Sequence, residues 1–209
     1  MDMERVLLVE GNDDLHVIAA LCQKFQIAHN FHIEDCKGVS NLLHGLPVRL
    51  KGSGEIHTMG IVIDADLDLI SRWNEIKNIL KNSGKYSVIP EEFPKGGLIL
   101  YPDDSDDIKV GVWIMPNNEV NGMLEDFISF LIPEYDELMK PVNVALDSIE
   151  TQGINRYANI HRSKAYMHTW LAWQEDPGTP MGLAITKKYL STQSQICNLF
   201  VDWIKGMFE

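Results

Sequence analysis

Four apolar residues in a row, Val6 to Val9, are followed by Glu10 and Gly11, and then apolar positions recur at helical spacing: Leu15, Ile18, Leu21, Cys22 and Phe25. An uninterrupted apolar run reads as a strand buried on both faces, and the period that follows reads as an amphipathic helix folded back on it. Gly11 allows a tight turn, and Asn12 or Asp13 can cap the helix. Phe31–Asp35 predicts a second strand. Lys37-Gly38-Val39 turns into a helix with Val39, Leu42, Leu43 and Leu46 on its apolar face, and Pro47 is expected to break or restart it. Gly52–Gly54 reads as a loop. The run Gly60-Ile-Val-Ile-Asp64 repeats the first strand's pattern, and Leu69, Trp73, Ile76 and Leu80 mark a helix ending near Ser83-Gly84.

The regular alternation stops there. Leu98–Tyr101 and Val110–Met115 read as an antiparallel pair around the acidic turn Asp103, Asp104, Asp106, Asp107, which lacks the glycine and terminal glutamate of a calcium loop. A helix carrying Leu124, Phe127, Ile128 and Leu131 follows. Beyond Pro133 the pattern is helical, with Thr192 and Gln195 forming a capping-box signature for the last helix. The expected architecture is α/β, a mostly parallel sheet with flanking helices over residues 1–132. A helical extension over 133–209 is expected to pack on it as one unit.

Charge changes the picture. The chain carries a formal −12. Residues 1–150 hold 26 acids against 12 bases, whereas residues 151–209 hold 4 against 6, with no acid between Thr151 and Gln174. Such an acidic chain disfavours nonspecific affinity for phosphate backbones, so a polyanion would need a local positive surface. Arg156, Arg162 and Lys164 are the cations of the acid-free stretch. No apolar run reaches membrane-span length, and the N-terminus has no signal-peptide pattern. Cys22, Cys36 and Cys197 lack metal-ligand spacing, as do the seven histidines, and Cys22 and Cys197 read as buried thiols. The whole fits a cytoplasmic protein.

Glu10 falls at the carboxyl edge of a sheet, where open α/β folds bind ligands. Asp64 and Asp66, two apart at a strand end, are expected to point the same way. Oxygen-only donors suit Mg2+ or Mn2+. Val-Glu-Gly-x-x-Asp on one strand and turn, with Asp-x-Asp on a later one, resembles the Toprim domain of topoisomerases, bacterial primases and overcoming-lysogenization-defect nucleases. Within that superfamily the chain looks like a small stand-alone Toprim-like bacterial protein of uncharacterised activity.

The resemblance implies a Rossmann-like fold over roughly the first 130 residues. It also implies metal-dependent phosphodiester hydrolysis of DNA or RNA. Asp64 and Asp66 would hold metal, and Glu10 would hold metal or manage the proton of the attacking water. Asp14 and Glu125 would complete the shell, and the Lys37-Gly38 turn matches one between the family's acidic motifs. A basic residue C-terminal to the acidic motifs, Lys164 by rough order, would face the phosphate, with Arg156 and Arg162 as substrate-facing neighbours. Against these stand blander roles: helix-dipole partners for Asp14, Glu125 and Asp126, a cap for Asp68, and exposed helix positions for Arg162 and Lys164. The alternative function is a non-catalytic regulator that binds metal or nucleotide and acts through a partner such as an ATPase.

Overall fold

The computed structural model describes residues 4–28, 30–52 and 56–209; His29 and most of the expected Gly52–Gly54 loop lie outside the described residues. Five strands form one sheet: β1 (Glu4–Val9), β2 (His32–Asp35), β3 (Ile56–Asp64), β4 (Leu98–Leu100) and β5 (Lys109–Met115). Their order is β2-β1-β3-β5-β4, parallel throughout except for β4, which pairs antiparallel with β5. The sheet is that of a Rossmann-like α/β fold.

The apolar runs are strands because alternate residues feed two separate cores. Leu7 and Val9 of β1, Val62 of β3, and Trp113 and Met115 of β5 face one core. Val6 and Leu8, Met59, Ile61 and Ile63, and Val110, Val112 and Ile114 face the other. The second core is closed by α2 (Val39–Lys51) and α3 (Leu69–Ser83), which contribute Leu42, Leu46, Leu50, Trp73, Ile76 and Leu80. α3 ends as expected, on left-handed Gly84.

The first core is closed by α1 (Asn12–Lys24) and by the helices of the C-terminal half: α4 (Leu124–Ser129), α5 (Met139–Thr151), α6 (Arg162–Ala172), α7 (Met181–Thr186) and α8 (Gln195–Phe208). The extension beyond residue 132 therefore has no core of its own; Trp170, Phe200 and Phe208 share one with Leu7 and Val62. α8 lies so close to the sheet that a Cβ on Gly111 would collide with the Met207 sulfur, and one on Gly60 would meet Phe208 at 3.1 Å. The α8 carbonyls are then gripped from below. Arg5 and Asn30 donate to Phe208 O at 2.7 and 2.9 Å, and Lys109 donates to Gly206 O and Met207 O.

Three local expectations are corrected. α2 runs through Pro47 unbroken. The proline costs about 3 kcal/mol in a helix interior, and three fully buried leucines at about 1.5–3 kcal/mol each offset it. The cap of α8 is Ser194, whose Oγ accepts the Cys197 N–H at 3.3 Å, and not the Thr192–Gln195 pair. Gly11 is extended (φ −149°), a conformation open to any residue, so the first turn does not depend on a glycine there. Cys22 and Cys197 are buried free thiols, as expected. Among the described residues no helix is long and apolar enough to cross a membrane.

Candidate functional site

From β1 the chain crosses to β2 on one side and then returns to β3 on the other, so the sheet's topological switch point lies between the carboxyl ends of β1 and β3. Glu10 follows β1 and Asp64 ends β3. They are joined directly: Glu10 Oε1 accepts the Asp64 N–H at 2.7 Å. Asp64 Oδ1 in turn accepts the N–H of Leu124, the first residue of α4, at 3.0 Å. Asp14, in the first turn of α1, reaches back so that its Oδ2 accepts the Gly11 N–H at 3.2 Å, while its buried Oδ1 has no hydrogen-bond partner. Glu125 is only 3% exposed, and its Oε1 lies 3.1 Å from the half-exposed Lys164 ammonium on α6. These four carboxylates and Lys164 line one open cleft of about 590 Å³.

Burial and mutual repulsion set the electrostatics. Desolvation, with repulsion from Glu10 and Glu125, raises Asp14 to about 7. Desolvation also raises Glu10, against the Asp64 N–H that favours its charged form. Asp64 is pushed well above the ordinary carboxylate range by burial, with Glu10, Asp14 and Glu125 adding repulsion. For Lys164, burial pulls the ammonium down, but Glu125, with Asp13 and Asp64 behind it, more than offsets this and its pKa rises. The cleft thus favours protons or positive charge on its carboxylates.

Asp66 departs from expectation. β3 ends at Asp64, and Asp66 turns left-handed (φ 53°), its N–H bonded to Gly122 O at 2.8 Å. Its carboxylate pairs with Arg72 at 2.9 Å and does not line the cleft, because an alternation of two holds only while the chain stays extended. Asp68 is the plain N-cap of α3, accepting the Ser71 N–H. Glu125 and Asp126 both lie in the first turn of α4, where either charge favours the helix dipole. Asp126 holds the start of α4 through the Met123 N–H at 2.9 Å, and Glu125 faces the cleft.

The three cations of the acid-free stretch also separate. Arg162 is bound to Asp147 at 2.6 Å and Glu150 at 3.0 Å, on the α5 side of α6. Arg156 is exposed and away from the cleft. Lys164 alone of the three faces it. The acidic partners of Arg162 and Lys164, namely Asp147, Glu150 and Glu125, lie upstream of the stretch, where a count of local charge does not look. The acids of the 103–107 turn serve that turn: Asp103 accepts from Ser87, and Asp104 from the Asp106 N–H.

Several residues at the cleft were not anticipated as site residues, Asn12 and Asp13 among them. Lys37 and Asp35 follow β2 and pair at 2.5 Å on the rim. Their signal is positional, since β2 is the other neighbour of β1 and its end opens on the same edge. Arg72 braces the site from outside, donating from Nε to Asp64 O at 2.9 Å.

The donor set is all oxygen, which suits a hard divalent ion. Asp14 Oδ1 and the second oxygens of Glu10 and Asp64 accept no hydrogen bond from any described residue. Among the described residues, however, no group of three or more His, Cys, Asp or Glu side chains could hold a metal ion as they stand.

No curated protein and no solved structure matches the chain. A family model described as "Protein of unknown function (DUF3226)" matches residues 4–209, that is, nearly the whole length. A fold of Rossmann-like class with an acidic cleft at its switch point is therefore the setting, and the chain belongs to this family of proteins of unknown function.

Proposed function

We propose that the cleft is a Toprim-like centre for Mg2+- or Mn2+-dependent phosphodiester hydrolysis, with nucleic acid the substrate class that the resemblance brings. The observation that carries it is the Glu10–Asp64–Leu124 chain of contacts, which fixes two carboxylates at the one sheet position where α/β folds bind ligands. The unpartnered Asp14 Oδ1 fits a ligand with positive charge, because a buried carboxylate oxygen without a donor is costly. Glu10, Asp14, Asp64 and Glu125 would hold the ion; Asp66, committed to Arg72, leaves the set.

The chemistry such an ion supplies when bound is polarisation of a phosphoryl oxygen and activation of water. The protein's own part is orientation and proton handling. Backbone N–H groups at Asp64 and Leu124 hold the Glu10 and Asp64 carboxylates in place. Glu10, whose pKa burial raises, is suited to accept the proton of an attacking water. Lys164, half-exposed beside Glu125, offers a positive charge to phosphoryl oxygens.

The test is incubation of the pure protein with several nucleic acids, with Mn2+, with Mg2+ and with EDTA. Metal-dependent cleavage that disappears in Asp64→Asn is expected, together with a melting temperature raised by Mn2+ in the wild type only. Identical melting of the wild type in EDTA and in Mn2+ sinks the reading. A second reading is a non-catalytic metal or nucleotide binder acting through a partner such as an ATPase. The scarcity of positive charge at the cleft favours it, and its mark is binding without turnover.

A further inference from the structure

Six carboxylates and two ammonium groups line the cleft. Both lysines are paired there, Lys37 with Asp35 and Lys164 with Glu125. The pairs differ in what they join. Lys37 and Asp35 share one turn after β2, whereas Lys164 reaches from α6 to the first turn of α4.

The four carboxylates of the candidate centre differ in their anchors. Glu10, Asp64 and Asp14 each accept a backbone N–H, from Asp64, Leu124 and Gly11 respectively. Those donors move only with the strands and helices that carry them. Glu125 is held instead by a side chain, the Lys164 ammonium at 3.1 Å. The Glu125 side chain is 4% exposed and that of Lys164 is 50% exposed, on a flexible four-carbon stem. Of the two partners, the lysine is the one with water to withdraw into. A buried carboxylate left without a partner is costly, so Glu125 favours an exchange of cations over the loss of one. Asp13 and Asp64 attract the same ammonium. Independently, Asp14 is 7% exposed and lines the same cleft, its Oδ1 without a partner among the described residues.

From this asymmetry we infer that Lys164 is the cleft's own counter-ion: it neutralises Glu125 in the metal-free protein and yields it to a divalent cation. The inference rests on the proposed metal-dependent centre and adds its regulation, a competitor built into α6. Lys164 loses the competition because Coulomb energy scales with charge and a divalent ion carries twice as much. Competition of this kind lowers the apparent affinity for the ion without preventing its binding. It accounts for a donor set that suits a hard cation and yet, among the described residues, could not hold one as it stands, since one of the four carboxylates is already taken. An ammonium released from Glu125 is then free for the phosphoryl oxygens assigned to it above.

Two measurements on the whole chain test the inference. In the first, Mn2+ affinity read by titration calorimetry is expected to tighten about tenfold in Lys164→Met. The same variant, free of metal, should melt below the wild type, because Glu125 is left unpaired. Lys37→Met removes an equal charge from the same cleft and should keep the wild-type affinity. Weaker or unchanged Mn2+ binding in Lys164→Met, or equal tightening in Lys37→Met, overturns the inference. The second measurement needs no variant. Wild-type protein is acylated briefly with N-hydroxysuccinimidyl acetate, and labelling at Lys164 is read by mass spectrometry against Lys95, which is exposed outside the cleft. Mn2+ should raise the relative labelling of Lys164 severalfold, at the concentration that raises the melting temperature. A Mn2+ shift in melting without that gain overturns the inference alone. Absence of any Mn2+ response in the wild type overturns it together with the centre it rests on.

Discussion

The chain carries two groups of four carboxylates, and they behave oppositely. Asp103, Asp104, Asp106 and Asp107 crowd one turn, mostly exposed, and their contacts are Ser87, a backbone N–H of the same turn and Lys85. Glu10, Asp14, Asp64 and Glu125 are spread over 116 positions of sequence, yet meet in one cleft where burial raises three of them. Density of acid along the chain is thus a poor guide to chemistry, because a solvated turn can hold many charges cheaply. Carboxylates at the carboxyl ends of neighbouring parallel strands cannot spread apart, and there repulsion is stored in the fold.

The largest contrast between the two groups should appear on removal of one charge in the presence of metal. Asp64→Asn is expected to cut metal-dependent hydrolysis on the order of 100-fold or more and to abolish the Mn2+ shift in melting temperature. Measured alongside it, Asp104→Asn should do neither. Equal effects of the two substitutions would erase the distinction.

Smaller, and visible without metal, is the pH dependence of stability. Asp14, Glu10 and Asp64 bind protons more tightly in the folded state than in the unfolded one. Their contribution is therefore fully present below the ordinary carboxylate range and is lost as pH rises, for Asp14 from about 3.8 through about 7. Asp14→Asn keeps an oxygen for the Gly11 N–H and removes the buried charge. It should stabilise the metal-free protein at pH 8 by about 2 kcal/mol and flatten the loss between acid and neutral pH, as read by urea unfolding across pH. Saturating Mn2+ should flatten the same slope in the wild type.

The smallest expected effect is the control. Asp104→Asn with Asp106→Asn should change stability by no more than about 0.5 kcal/mol and leave the metal response untouched. A larger change would mean that the turn carries a role its exposed contacts do not suggest.

Much of the sheet is legible in the sequence because β1, β3 and β5 are buried on both faces and so leave uninterrupted apolar runs. Glu10 and Asp64 are legible for the same reason, as each is the first polar residue after such a run. Asp66 is not, since its direction depends on a left-handed turn and on Gly122, a partner 56 positions away in sequence. Arg162 looks free in a stretch without acids, and only folding brings Asp147 and Glu150 of α5 against it. Lys37 is legible only as part of a turn that the resemblance matches; that it lines the cleft follows from β2 lying beside β1, a pairing that no local pattern encodes.

The grip on α8 has a consequence for how the molecule comes to exist. Arg5 and the carbonyl it holds are 203 residues apart, and Trp203 donates to Leu98 O across 105. During synthesis Leu7, Val62 and Trp113 are made long before the helix that covers them, so one face of the nascent sheet stays wet and adhesive until residues 195–208 emerge. Contacts of such long range make for slow folding. The chain should accordingly acquire protease resistance late and nearly all at once.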